Sequence, residues 1–354
     1  MPKNNRFDRR LDNLPREVWE KIAKIEELKG QWVGGLNLGP QVLGRLKQSV
    51  LVTSSGASTR IEGARLSDED VERLMRQGIR VNKWADRDTQ EVRGYYEVLR
   101  NVFDVWKNIR FTENEIRNLH KELLKYVEKD ERHRGIYKKQ ENTVVAMDRA
   151  GNQIGIIFEP TKAYLTPKAM QELVNWTRAS LEKNVHHPLL IVGNFLVEFL
   201  QIHPFQDGNG RLSRVLTNLL LLRSGYRFVP YVSHEKLVED NKDAYYLALR
   251  KSQKTLGTKR EDIAPWLLFF FDMLLRQAES AIDLLTEEAL EDTLSPKQIV
   301  VWEYVQGTDE AGQSEISEKT GIARPTVDQA IKKLMRLKRV EKIGEGRATR
   351  YRKV

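Results

Sequence analysis

Apolar residues along this chain recur mostly three and four positions apart, the spacing of one helix face. Ser67 can cap a helix opening on Asp68, Glu69 and Asp70, where carboxylates suit the positive end of the dipole. From Val92 to Ile109, Tyr95, Val98, Leu99, Val102, Val105 and Trp106 keep helical register. Thr112 and Glu115 form a capping box ahead of Ile116, Leu119, Leu123, Leu124 and Val127 on one face. Pro167 opens a helix reaching Glu182, and Leu189 to Gln201 is apolar all round, which predicts a buried central helix. Another helix runs from Leu212 to Arg223 and stops at Gly225. The helical pattern breaks between Asn142 and Tyr164, where Val144–Met147 and Ile154–Phe158 read as two strands around a turn at 148–152. The expected class is mainly α with one small β-hairpin.

Helical spacing, rich in Tyr, Leu and Phe, resumes from His234 to Leu285, and the acidic stretch Leu284–Leu294 reads as a linker. From Ser295 the order is helix, helix, a turn at Gly321, helix, ribbon. Lys297–Gln306, Ser314–Lys319 and Val327–Leu337 are the helices, and two strands span Val340–Tyr351 around Gly344-Glu-Gly346-Arg347. The expected domains are an N-terminal helical region over 1–110, a core over 111–232, a helical extension over 233–290 and a C-terminal domain over 291–354.

Composition narrows the classes. The 354 residues carry 40% apolar and 31% charged side chains, as a folded protein does. With no cysteine, disulfides, thiolate zinc sites and cysteine nucleophiles are excluded. The start, MPKNNRFDRRLDNLP, has no apolar core and reads as no secretory signal, and no apolar run suits a bilayer. A cytoplasmic protein with no membrane partner is the expectation. The formal charge is +9, and from Ser295 onward thirteen Lys or Arg face eight Asp or Glu, a net of +5. More than half of the excess therefore sits in the last sixth of the chain.

The chemistry concentrates in His203-Pro-Phe-Gln-Asp207-Gly-Asn-Gly-Arg211-Leu-Ser-Arg214. Glycines on both sides of Asn209 let the backbone approach a ligand and turn successive N–H groups inward. Those amides and the start of the next helix make an anion site suited to phosphate. Arg211 and Arg214, three apart, share one face of that helix. Asp207 is a hard oxygen ligand appropriate to Mg²⁺. A neutral His203 could take a proton from an attacking hydroxyl. A simple turn between helices explains Asp207–Gly210, but not the imidazole and both arginines as well.

This segment resembles the signature of the Fic family, His-x-Phe-x-Asp/Glu-Gly-Asn-Gly-Arg-x-x-Arg, with every fixed position present. The resemblance implies a Fic-type helical bundle with a hairpin flap, here Val144–Phe158, that holds a target segment by strand addition. It implies an adenylyltransferase that moves AMP from ATP to a Ser, Thr or Tyr hydroxyl and releases pyrophosphate. On that reading His203 is the base, Asp207 holds Mg²⁺, Gly208, Asn209 and Gly210 form the anion hole, and Arg211 grips the outer phosphates. Upstream, Ser58-Thr-Arg-Ile-Glu62-Gly63 fits the family's inhibitory motif, which implies that Glu62 pairs with Arg214 and takes the place of the γ-phosphate. Another nucleotide or phosphocholine donor, and hydrolytic removal of AMP, remain open. The target is a protein or the chain itself, and a homodimer is left open.

The last region resembles a winged helix-turn-helix domain. Arg324, Lys332, Lys333, Arg336, Arg347 and Arg350 could meet the phosphates of DNA, and protein contact is the competing use. A DNA-binding regulator with the enzyme core as sensor is the reading from a different class. Among other residues, His186 and His187 suit capping or surface roles and His120 a structural one. Tyr245, Tyr246, Phe269, Phe270 and Phe271 suit the core, with one tyrosine in reach of a base. Asn175-Trp-Thr177 has the form of a glycosylation acceptor, without meaning in a cytoplasmic chain.

Overall fold

Apolar spacing and caps become helices much as the pattern requires. The computed structural model describes residues 5–35, 38–76, 86–142, 144–147, 153–291, 294–337, 339–344 and 349–354. Two compact units divide the chain, Met1–Ile282 and Asp283–Val354.

In the first unit the helices are α1 (Arg6–Arg9), α2 (Arg16–Gly35), α3 (Pro40–Ile61), α4 (Asp68–Arg76), α5 (Arg87–Val105) and α6 (Glu113–Leu123). An antiparallel hairpin follows, β1 (Val144–Met147) with β2 (Gln153–Phe158), pairing Val145 with Ile156 and Ala146 with Gly155. Its expected turn at 148–152 lies outside the described residues. Next come α7 (Thr166–Lys183), α8 (Pro188–Ile202), α9 (Asn209–Arg223), α10 (His234–Asp240), α11 (Lys242–Gln253) and α12 (Ala264–Glu291), which belongs to this unit as far as Ile282. The acidic stretch expected as a linker is therefore helical as far as Glu291.

Local chemistry sets the helix ends. Thr112 Oγ1 accepts from Glu115 N, and Ser67 Oγ accepts from Asp70 N. His187 Nδ1 accepts from Leu189 N at the start of α8, the capping role expected of it. The run expected to Val127 stops at Leu123, and Val127 is buried beyond the helix end.

The centre of the unit is α8, where Leu189, Leu190, Ile191, Val192, Phe195, Leu196, Val197 and Phe199 are all fully or nearly fully buried. Side chains of this size contribute roughly 1.5–3 kcal/mol each on leaving water, offset by lost chain entropy. Helices α7 and α9 pack on α8, and α5 packs on α9. This frame holds rigid the short loop between α8 and α9 that carries the candidate chemistry.

The second unit has α13 (Pro296–Gln306), α14 (Gln313–Thr320), α15 (Arg324–Arg336) and an antiparallel ribbon of β3 (Val340–Ile343) and β4 (Arg350–Lys353). A single bridge joins Ala311 to Tyr351. Its own core includes Val301, Trp302, Ile316, Val327, Ile331 and Leu334. The tip of the ribbon with Arg347 lies outside the described residues. Among the described residues no helix is long and apolar enough to cross a membrane.

Candidate active site

Helix α8 ends because Pro204 follows His203, and the residue before a proline avoids the helical region. His203 takes the left-handed conformation instead, φ 49° and ψ 61°, with its N–H still donated to Phe199 O. That conformation is uncommon for a residue with a Cβ. The imidazole is thereby swung off the helix end, with the Phe158 ring edge-on at 5.9 Å. Burial, reinforced by the nearby Lys138 ammonium, pushes His203 down to about 4, against an opposing pull from Glu62. At neutral pH it is an uncharged base.

The loop after it is stapled on two sides. Asn209 is almost fully buried, and its side chain exchanges two hydrogen bonds with the Phe205 backbone, 2.9 and 2.8 Å. Only its backbone is left to meet a ligand. His120, expected to be structural, stacks on Phe205 at 3.8 Å. Its Nδ1 accepts from Gly135 N, so the proton sits on Nε2 and is donated to Asp207 O at 2.9 Å. Burial pushes this imidazole also to about 4. Gly208 caps α9 at φ 79°, which a residue with a Cβ rarely adopts. The helix begins at Asn209, three residues earlier than the sequence pattern indicates. Gly210 therefore lies in the first turn, whose N–H groups have no acceptor four residues back.

Four charged groups close a ring beside this turn. Arg211 Nη2 reaches Asp207 Oδ2 at 2.8 Å, and its Nη1 reaches Glu91 Oε2 at 2.9 Å. Arg87 lies between the same two carboxylates, 2.7 Å from Glu91 Oε1 and 2.9 Å from Asp207 Oδ2. Burial would raise the Asp207 carboxyl, yet Arg211, the Gly208 N–H and Arg87 hold it below its ordinary value. Nothing in the sequence pattern marks Arg87 and Glu91. Four apart on α5, they look like any surface pair until the fold brings α5 to the loop.

Arg214 is buried, and its Nε and Nη2 are engaged towards α3. Nε donates to Ser58 Oγ at 2.8 Å, and Nη2 donates to Ser58 O at 2.9 Å and Glu62 Oε1 at 2.7 Å. Burial alone would lower this group, but Glu62, with Tyr245 and Tyr95, holds it above its ordinary value. Glu62 caps the end of α3, and Gly63 turns the chain away at φ 108°. A Cβ at Gly210 would lie 2.2 Å from Glu62 Oε1. The missing side chain is what lets the carboxylate rest against the N-terminus of α9, where an anion is favoured.

Above Glu62 and His203 a cavity of about 120 Å³ is lined also by Phe158, Gly210, Tyr245, Tyr246, Arg250 and Gln253. Both tyrosines therefore border it, whereas Phe270 and Phe271 are core. Gln253 is buried there, and among the described residues neither of its amide atoms has a hydrogen-bond partner. Sequence spacing gives no hint of Gln253, which reaches the cavity because α11 packs against α8 and β2.

Linkage gives the site a pH signature. An unfolded histidine titrates near 6.5, while His120 and His203 titrate at about 4 in the fold. Below 6.5 the unfolded chain binds more protons, so stability falls as pH drops from about 6.5 to about 4. Denaturant unfolding should show this slope, and His203→Ala should make it shallower. Equal slopes in the two proteins would place His203 in an unperturbed environment.

The loop and its flanking helices thus bring together an uncharged imidazole, a helix N-terminus and two buried arginines. Residues 110–221 match the Fic/DOC family. Over 90 residues it is 34% identical to a probable protein adenylyltransferase of Aquifex aeolicus (strain VF5), covering 25% of this chain and 27% of that protein. Over 115 residues it is 31% identical to the protein adenylyltransferase Fic of Drosophila mojavensis, covering 32% and 20%. The match thus spans about a quarter or less of those relatives' length. A Fic family protein from Desulfovibrio desulfuricans G20 superposes with a TM-score of 0.63 over 97% of both chains at 21% identity. A Fic domain containing signaling protein from Bacteroides thetaiotaomicron VPI-5482 gives 0.60 over 75% of this chain and 98% of that one, at 23% identity. These two likenesses establish the fold.

Proposed function

We propose that the chain transfers AMP from ATP to a Ser, Thr or Tyr hydroxyl, on a target protein or on itself. The observation that carries this reading is an uncharged His203 at the lip of a cavity floored by the N-terminus of α9. His203 takes the hydroxyl proton, and the oxygen bonds to the α-phosphorus. The bond from that phosphorus to the bridging oxygen of the β-phosphate breaks, and pyrophosphate leaves with the electron pair. Backbone N–H groups of Gly208, Asn209 and Gly210 face the charge that develops. Arg211 and Arg214 hold the outer phosphates, Arg214 only once Glu62 has left it. Gln253, with a free donor and acceptor, suits the edge of adenine, which offers both.

The residues also fit a divalent ion. Among the described residues no group of three or more His, Cys, Asp or Glu could hold a metal alone. Asp207, 37% exposed, offers one carboxylate, and Mg²⁺ is ordinarily held by one or two carboxylates together with substrate phosphates. When bound with ATP it neutralises phosphate charge. ATP labelled on the α- or the γ-phosphate tests the proposal. Label kept on protein only from the α position is expected, and γ label kept instead would overturn it.

A second reading concerns the C-terminal unit, proposed to bind duplex DNA. Helix α15 buries Val327, Ala330, Ile331 and Leu334 and leaves Arg324, Lys332 and Arg336 exposed. Lys332 is partly offset by Asp328 at 2.7 Å. Binding to pooled duplexes should weaken steeply with salt, and charge reversal at Lys332 and Arg336 should weaken it across all sequences. No binding at low salt would favour protein contact instead.

A further inference from the structure

Lys138 lies between α6 and the hairpin, in a stretch without regular secondary structure, and is 4% exposed. A buried ammonium is costly unless its protons find acceptors. This one finds them at the candidate base. Its Nζ donates to Ile202 O at 3.1 Å and to Asn142 Oδ1 at 2.7 Å. The backbone N–H of Lys138 donates to Pro204 O at 2.8 Å, and Asn142 Nδ2 donates to Phe205 O at 3.0 Å. One short segment therefore grips the carbonyls immediately before and after His203, and the next one as well.

Two physical needs are met there at once. The last carbonyls of a helix lack partners within it, and a cation is favoured at that end. Ile202 O is such a carbonyl, and Lys138 supplies the cation. His203 itself sits in a sparsely populated conformation, the kind that persists only where surroundings over-determine it.

We infer that Lys138 is the positioning residue of the His203 base, holding its left-handed turn rigid and setting a positive charge beside the imidazole. The inference rests on the reading of His203 as the base. Several charged and titratable groups face that imidazole. Lys138 does so from this segment, Glu62 from the end of α3, Asp207 from the following turn, and Tyr245, Tyr246 and Arg250 from α11 across the cavity. Of the charges acting on it, Lys138 opposes protonation, whereas Glu62 and Asp207 favour it. Burial lowers Lys138 itself to about 8, so its charge is present at neutral pH.

The test compares Lys138→Met with Lys138→Arg in the full chain. The His203 ring is titrated by NMR, and transfer is measured alongside. In Lys138→Met the His203 midpoint should rise by roughly one pH unit, as loss of a nearby like charge requires. Its kcat should fall by on the order of 10²-fold through misplacement of the base, with the KM for ATP little changed. Lys138→Arg should keep the low midpoint and recover part of the rate. An unmoved His203 midpoint in Lys138→Met overturns the inference, and so does an equal loss with no rescue in Lys138→Arg. If Lys138→Met fails to fold, Asn142→Ala removes a partner of the same brace while keeping the charge, and an unchanged kcat there counts against the brace. A shifted midpoint together with full transfer by His203→Ala would leave the brace standing and remove the base assignment instead.

Discussion

Replacing Glu62 by glycine should raise transfer, to itself or to a target, by on the order of 10²-fold, the cost that a small misplacement of reacting groups carries. The carboxylate holds Arg214 Nη2 at 2.7 Å and lies over Gly210 at the start of α9. It thus occupies the cation and the anion position that the proposed reaction assigns to a nucleotide's phosphates. The cavity left beside it, about 120 Å³, is well below the roughly 300 Å³ at which ligand pockets begin. Removing the side chain releases both. Arg214 is then a buried cation without its carboxylate, but Ser58 still accepts two of its hydrogen bonds. Glu62 is 33% exposed, so water can replace it, and the loss of stability should be on the order of 1–2 kcal/mol. Arg214→Ala should not reproduce the gain, because it removes the phosphate contact along with the latch. A wild-type rate in Glu62→Gly, with the fold intact by circular dichroism, would refute self-inhibition and leave the catalytic assignment standing. Loss of activity would point to Glu62 aligning a water for AMP removal.

His203→Ala should lower transfer by about 10²–10⁴-fold, the usual contribution of a positioned base, while ATP affinity stays within a few-fold. In the proposed reaction the phosphates are held by other groups, the N-terminus of α9 and the two arginines. The His203 side chain makes no hydrogen bond to the loop staple, which runs through Asn209, Phe205 and His120. The comparison is isothermal titration with ATP and Mg²⁺ alongside transfer rates in the Glu62→Gly background. Affinity falling as steeply as the rate would show that His203 binds nucleotide rather than removing a proton.

Much of this site was legible because its parts are contiguous. His203, Asp207, Gly208, Asn209, Gly210, Arg211 and Arg214 fall within twelve residues, so helical spacing and turn chemistry alone bring them together. The pairing of Ser58 and Glu62 with Arg214 is long-range. It was legible only through a family resemblance, since a serine and a glutamate four apart on a helix carry no message alone. Lys138, Arg87, Glu91 and Gln253 were not legible. Each is an ordinary polar residue whose meaning comes from a partner 64 to 120 positions away, or from a cavity wall. In the fold, hydrophobic period located the helices well, because burial of one face decides them. Ends were read less well. Gly208 adopts a positive φ and starts α9 at Asn209, and α12 continues through acidic residues that composition assigned to a linker.

Self-inhibition requires that Glu62 and a nucleotide's outer phosphate compete for Arg214. Crystal structures of the wild-type chain and of Glu62→Gly, each with Mg²⁺ and a non-hydrolysable ATP analogue, test it most directly. The terminal phosphate is expected against the Arg214 guanidinium in Glu62→Gly, and the Glu62–Arg214 pair is expected to persist in the wild type with that phosphate elsewhere. The same phosphate position in both crystals, with the wild-type pair intact, would contradict it.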